Sequence, residues 1–347
     1  MADMTEILRL VRDGRLGAAT DEIQRTLRDR AAGRTPEPPM KDVTPIPTAL
    51  PGAVAAPPNR GKRVRPRKAA WHAAGAEGRP VTAPALPSGA EWLSQQGALP
   101  YRLFVPSAPA AEAPVIVMLH GCTQTPEDFA AGTAICAAAD AIGAHVIFPE
   151  QTRRTNANLC WSWFEPAHQG RSGEAQAIVA ITESVRAGLG APRPVHVAGL
   201  SAGGAMAAIL GARYPEVVRS VAIHSGLPVG AARDLASAFA AMKAGGPSEG
   251  PLPVPAIVFH GMADRTVAPA NGAAFLADHL GQADISATER GGRRATISAV
   301  AAPVRMELWE IEGLGHAWSG GDPRGSYADP VGPDATAEMM RFFAQTR

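Results

Sequence analysis

Cysteine and aromatic residues are both scarce in this chain: three Cys and an aromatic share of 5% among 347 residues. Cys122, Cys136 and Cys160 are too few for a disulfide scaffold, and their spacings of 14 and 24 match no zinc-ligand pattern. No run of about 18 apolar residues occurs, so no transmembrane helix is expected. A signal-peptide hydrophobic region is missing too, because Asp3, Glu6, Arg9, Arg12, Asp13 and Arg15 interrupt the start of the chain. A cytoplasmic location is therefore the default expectation. The formal charge is only +1, which argues against a general polyanion binder. Neither GxGxxG nor GxxxxGK[ST] is present, so nothing suggests a nucleotide, and no cofactor or metal is expected.

What is present is apolar material: 46% hydrophobic against 19% charged residues, which rules out a wholly disordered chain. Charge is unevenly placed. Residues 1–100 hold 15 Lys/Arg against 10 Asp/Glu, and residues 101–347 hold 18 against 22, so an acidic body follows a basic leader. Sixteen of the 32 prolines fall within residues 36–114 and mark a boundary. Before them, Ile7, Leu10 and Val11 share one helical face, and Leu16, Ile23 and Leu27 another. This predicts a helical hairpin over residues 1–32, too small to fold alone, that docks on the body, tethers the protein or pairs two copies into a homodimer. Residues 33–90 are rich in Pro, Ala and Gly and read as a flexible linker. The run NRGKRVRPRK (59–68) inside it carries six positive charges. It reads as a solvated segment, with contact to an anionic surface as the alternative. With Trp71 the one aromatic nearby, no nucleic-acid partner is expected.

From residue 91 to 347 a single domain is expected. Apolar runs LFVP, VIVML (115–119), HVIFP (145–149), VHVAG (195–199), SVAIH (220–224), AIVFH (256–260) and MELWEI (306–311) alternate with Ala-rich helix candidates. Those lie near 126–142, 173–189, 202–213, 270–280 and 334–345. The pattern predicts an α/β fold with a mainly parallel sheet covered by helices on both faces. Thr125 as N-cap, Pro126 at the first helical position and Glu127 and Asp128 in the first turn mark the start of one helix.

The strand VHVA runs into Gly199-Leu200-Ser201-Ala202-Gly203, and a helix pattern follows. GxSxG in a strand–turn–helix context lifts the serine Oγ above the sheet, at the positive end of a helix, as in α/β-hydrolases. A serine hydroxyl needs a base, and the base needs an orienting acid, in the chain order Ser, Asp or Glu, His. Asp234 and Asp278 sit in helical contexts and Asp284 is not at a strand end. This leaves Asp264, in the loop after AIVFH. Of His279 and His316, the first lies inside a helix and the second follows MELWEI, so His316 is the candidate base. VIVML ends in His120-Gly121-Cys122, where this fold supplies one oxyanion donor; the backbone N–H groups of Cys122 and Ala202 are the expected pair. His120 is expected to shape the turn rather than carry a proton.

These residues resemble the poly(3-hydroxybutyrate) depolymerase family of esterases, which has feruloyl and acetyl-xylan esterase relatives. The resemblance rests on LHGCTQ (119–124), CWSWF (160–164), GLSAGGAM (199–206), HGMADRTV (260–267) and GLGHAWSGG (313–321), and it covers about residues 115–345. It implies an α/β-hydrolase with the triad Ser201, Asp264 and His316, and esters or polyesters of short 3-hydroxyacids as substrate. Members acting on crystalline polymer usually append a surface-binding domain, so amorphous granules, oligomers or soluble esters are expected here, with a granule surface as a possible partner. A generic carboxylesterase for feruloyl, acetyl or aryl esters and a granule-associated tethering protein are the alternatives. Trp161 and Trp318 flank the expected catalytic loops and are candidates for substrate contact. Cys122 and Cys160 belong to the same rim of the sheet, so a disulfide between them stays open beside the free thiols that a cytoplasmic location favours. Cys136 reads as a buried small hydrophobe.

Overall fold

The computed structural model describes residues 83–190 and 192–346. The expected hairpin over 1–32, and the linker as far as residue 82, lie outside the described residues. The body begins earlier than expected, since Leu86 and Ala90 pack on the hydrophobic core within the segment assigned to the linker.

Twelve strands are formed among the described residues: β1 Glu91–Gln95, β2 Tyr101–Val105, β3 Val115–Leu119, β4 His145–Pro149, β5 Val195–Leu200, β6 Val218–His224, β7 Ala256–Gly261, β8 Asp284–Arg290, β9 Arg293–Val300, β10 Met306–Ile311, β11 Trp318–Ser319 and β12 Ala328–Asp329. The helices are α1 Pro126–Thr133, α2 Ile135–Asp140, α3 Gly173–Gly188, α4 Ala202–Arg213, α5 Leu235–Ala244, α6 Ala270–Ala274 and α7 Ala335–Ala344. Ten strands form one sheet in the order β1-β2-β4-β3-β5-β6-β7-β10-β9-β8. The six central ones, β4 to β10, are parallel. An antiparallel pair closes each side, β1 and β2 at one and β9 and β8 at the other.

The parallel strands are continuous apolar runs because both of their faces are covered. Val115, Val117, Val197 and Val221 face one core with α3, α4 and α5 residues such as Ile178, Leu210 and Ala238. Ile116, Met118, Val146 and Phe259 face the other, with Phe129, Ile135 and Phe342 from α1, α2 and α7. This is the expected α/β-hydrolase architecture. Among the described residues no helix is long and apolar enough to cross a membrane.

Two details differ from expectation. The helix expected over 126–142 breaks at Ala134, which takes a left-handed φ of 52°. A crossing segment causes the break: the Gly132 carbonyl accepts the Asp322 N–H (2.9 Å), and Gly325 packs against Gly132 so closely that no Cβ fits. The sequence reading also omits β1, β8, β9 and α5. β8 (DISATER) is exposed along nearly its whole length and so carries no apolar face to recognise.

Candidate active site

The chain passes from β3 to β4 on one side of the sheet, then returns to place β5 on the other side of β3. At such a switch point the connections leave in opposite directions and open a crevice beyond the strands' carboxyl ends. Ser201 follows β5 and His120 follows β3 at this crevice. Ser201 adopts φ 57° and ψ −118°, a strained conformation that only a tightly constrained turn holds. The constraint is visible in its neighbours: a Cβ on Gly199 would lie 2.2 Å from the Gly203 carbonyl oxygen, and one on Gly203 would lie 2.0 Å from that of Leu119. Both positions therefore require glycine.

The turn after β3 is held from every side. His120 Nε2 accepts the Gln151 N–H (3.1 Å), which leaves the proton on Nδ1, and Nδ1–H donates to the Gly121 carbonyl (2.8 Å). Burial pushes this ring's pKa down to about 4, so it is neutral near pH 7. Because a peptide plane is trans, fixing the Gly121 carbonyl also fixes the Cys122 N–H, which points the opposite way. Gln124 Oε1 accepts the Gly121 N–H (2.9 Å), and Thr123 N–H reaches the Asn158 carbonyl (2.7 Å). Among the described residues the N–H groups of Cys122 and Ala202 meet no protein acceptor, and Ala202 opens α4, where the helix dipole favours negative charge. A Cβ at Gly121 would sit 3.6 Å from Ser201 Cβ, so the two turns are in contact.

Asp264 lies in the loop after β7. Its Oδ1 accepts the N–H groups of Thr266 (2.8 Å) and Val267 (2.9 Å), and its Oδ2 accepts His316 Nδ1–H at 2.7 Å. Burial alone would raise this carboxyl, but the His316 bond and charge and the two backbone donors outweigh it and hold the pKa below the ordinary value. His316 follows β10; its loop packs on the Asp264 loop so closely that a Cβ at Gly261 would lie 2.3 Å from the Leu314 carbonyl oxygen. With Nδ1 protonated, His316 Nε2 is left as the basic nitrogen. Ser201 Oγ and His316 Nε2 are not hydrogen-bonded to each other here; such contacts are often long before substrate binds.

Two expected site residues have other tasks. Trp161 is 0% and Trp318 1% exposed, so neither indole presents a face to substrate, and the expectation of substrate contact is corrected for both. Trp161 Nε1 donates to the His120 carbonyl (3.0 Å) and Trp318 Nε1 to Thr336 Oγ1 (3.0 Å); each braces a loop from behind. The pairing of Cys122 and Cys160, which the sequence leaves open, is formed: the two make a disulfide that ties the turn after β3 to the CWSWF segment. Cys136 is buried and free, as expected.

Three side chains near the site escaped the sequence reading. Tyr327 stands edge-on to the His316 ring, 6.2 Å between centroids, and its hydroxyl lies 3.4 Å from Thr123 Oγ1. His260 Nε2–H donates to the Val267 carbonyl (2.9 Å) behind Asp264. His224 lies at the end of β6, wholly buried. Both histidines close apolar runs, SVAIH and AIVFH, and a polar residue ending a buried strand at this rim was the available signal.

Residues 99–300 match the family described as Esterase PHB depolymerase. The poly(3-hydroxyalkanoate) depolymerase C of Paucimonas lemoignei is 33% identical over 235 residues, which are 61% of this chain and 56% of that protein. Feruloyl esterase B of Neurospora crassa is 35% identical over 127 residues, 36% of this chain and 42% of that one. The chain thus spans about half the length of the curated relatives it matches. An acetyl xylan esterase from Aspergillus awamori superposes with a TM-score of 0.55 at 18% identity, over 73% of this chain and 99% of the other, a likeness of fold. With well over half of its residues inside the family match, the chain belongs to the Esterase PHB depolymerase family.

Proposed function

We propose that the protein is a serine hydrolase of carboxylic esters, acting on poly(3-hydroxybutyrate), its oligomers or related short hydroxyacid esters. The observation that carries this is the His316–Asp264 bond, set at the same rim as a strained serine beside two backbone donors that meet no acceptor among the described residues. His316 Nε2 takes the Ser201 proton as Oγ attacks the ester carbonyl carbon. The oxyanion is held by the Cys122 and Ala202 N–H groups, the alcohol departs with the proton from His316, and water then releases the acid by the same steps reversed. Asp264 keeps the imidazole in the Nδ1–H tautomer and stabilises its cation.

The depolymerase name of one relative and the feruloyl esterase name of another support a polyester and a feruloyl-ester substrate respectively. The longer match favours the polyester. A granule surface as partner, and pairing of two copies through residues 1–32, belong to the same reading. Release of 3-hydroxybutyrate from amorphous granules, run beside p-nitrophenyl butyrate hydrolysis, tests it with Ser201→Ala as control. Activity on both substrates, lost in the variant, is the expected result. Activity on the soluble ester alone would keep the mechanism and withdraw the polymer, and Ser201→Ala above a tenth of wild type would remove Ser201 as nucleophile, whereas loss of a triad member typically costs on the order of 10⁴-fold or more.

A further inference from the structure

We propose that His224 is the positioning residue that sets the distance between Ser201 and His316, by holding one with its carbonyl and the loop of the other with its imidazole. This rests on the reading of Ser201 and His316 as nucleophile and base. The two come from β5 and β10, which are separated in the sheet by β6 and β7, so no ladder hydrogen bond joins their strands directly. His224, on β6, spans that gap. Its carbonyl accepts the Ser201 N–H at 2.9 Å. Its Nε2 accepts the Ser319 N–H at 3.1 Å, three residues beyond His316. The ring is 0% exposed and stacked between Phe259 and Trp318, with centroids 5.7 and 5.1 Å away, so it can neither swing nor be replaced by water.

The tautomer follows from the partners. Because Nε2 accepts, Nδ1 carries the proton and faces Ser225 Oγ at 3.2 Å. Burial, with the neighbouring His260 and His316 charges, pushes the ring down to about 3, so Nε2 stays an acceptor near pH 7. Nothing in the proposed reaction uses His224 chemically. Its buried acceptor is instead spent on a backbone donor of the His316 loop, the Ser319 N–H.

The test is steady-state hydrolysis of p-nitrophenyl butyrate by the full chain, with Ser201 labelling by a fluorophosphonate as a second readout. His224→Phe keeps the stacked ring and removes the acceptor. It should lower kcat about 100-fold, the effect of an ångström-scale misplacement, with KM within about twofold and labelling slowed in step. His224→Gln places an amide oxygen where Nε2 stood and should recover most of kcat. His224→Asn places its oxygen at the Nδ1 position and should not, which decides the matter even if the Phe variant fails to fold. Wild-type kcat in the Phe or Asn variant, with Ser201→Ala inactive, would overturn the positioning role and leave the triad standing. A Gln variant that melts like wild type but stays inactive would overturn it too. An active Ser201→Ala would remove both readings together.

Discussion

Three strands deliver a histidine to the same rim, His120 just after β3, His224 at the end of β6 and His260 in β7, and burial lowers the pKa of all three. Their native values lie below the ordinary imidazole value of about 6.5, at about 4 for His120 and about 3 for His224. The unfolded chain therefore binds protons that the folded chain refuses. Stability is complete above the unfolded value and is lost as pH falls from about 6.5 towards 4, at about 1.4 kcal/mol per pH unit for each of His120 and His224, with His260 adding a loss in the same direction. Asp264, held below the ordinary carboxylate value, adds a loss in the same direction at still lower pH. Melting curves from about pH 7.5 to 4.5 should show this slope, and His224→Gln should flatten it by roughly one proton. A slope unchanged in that variant would mean the native ring is charged. The rim positions of Ser201, Asp264 and His316 were legible because each follows an apolar run at a glycine-marked turn, and the His316–Asp264 pairing is the part the structure forms. Trp161 and Trp318 were misread because sequence proximity to a loop does not say whether an indole faces the crevice or the core behind it.

At the scale of elements, the turn after β3 shows how a donor is made rigid. It is fastened by the His120 ring, Gln124, Trp161 and the Cys122–Cys160 disulfide. Cys160→Ser removes the fastening that does not depend on hydrogen bonds, and opens a closed loop with a sequence separation of 38. A loop of that size is worth roughly 4 kcal/mol of stability in the chain-entropy picture. The variant should also lose kcat more than it raises KM, since in the proposed mechanism the Cys122 N–H acts only when the oxyanion forms. Urea unfolding and steady-state kinetics read the two effects, and an unaltered kcat would detach the disulfide from the oxyanion donor. A bond of this kind is kept in oxidising surroundings. Counting thiols on protein alkylated at lysis sets that against the cytoplasmic expectation. Helix starts were legible because caps are local: Thr125 accepts the Asp128 N–H as expected. The break at Ala134 was not, because its cause is a loop nearly 200 residues later that packs on Gly132.

For the whole molecule, the body's packed surface reaches back at least to Leu86. Leu86 and Ala90 are part of the core's covering, and Trp92 packs on Phe148 at 5.0 Å, so the catalytic body includes the end of what composition assigns to a linker. A chain starting at residue 83 should keep soluble-ester turnover and lose only what residues 1–82 confer on granules or on pairing. A chain starting at 91 should melt lower, by several degrees per kcal/mol of packing lost. Equal melting of the two would put the boundary back at 91. The parallel centre of the sheet was legible because continuous apolar strands between helices have few other arrangements. The outer edge strands β1, β8 and β9 were not, because an exposed strand such as β8 carries no apolar face to recognise.

The proposed active groups come from four separate strand ends, β3, β5, β7 and β10, with His224 on a fifth, and the last of them arrives in sequence 115 residues after Ser201. No fragment that stops short of β10 can hold the base, and no sheet that lacks β6 can space it. On the proposed reading, turnover would be an all-or-none report on assembly: a partly built sheet would carry the proposed nucleophile without its base, and would be inert toward esters until the last parallel strand docks.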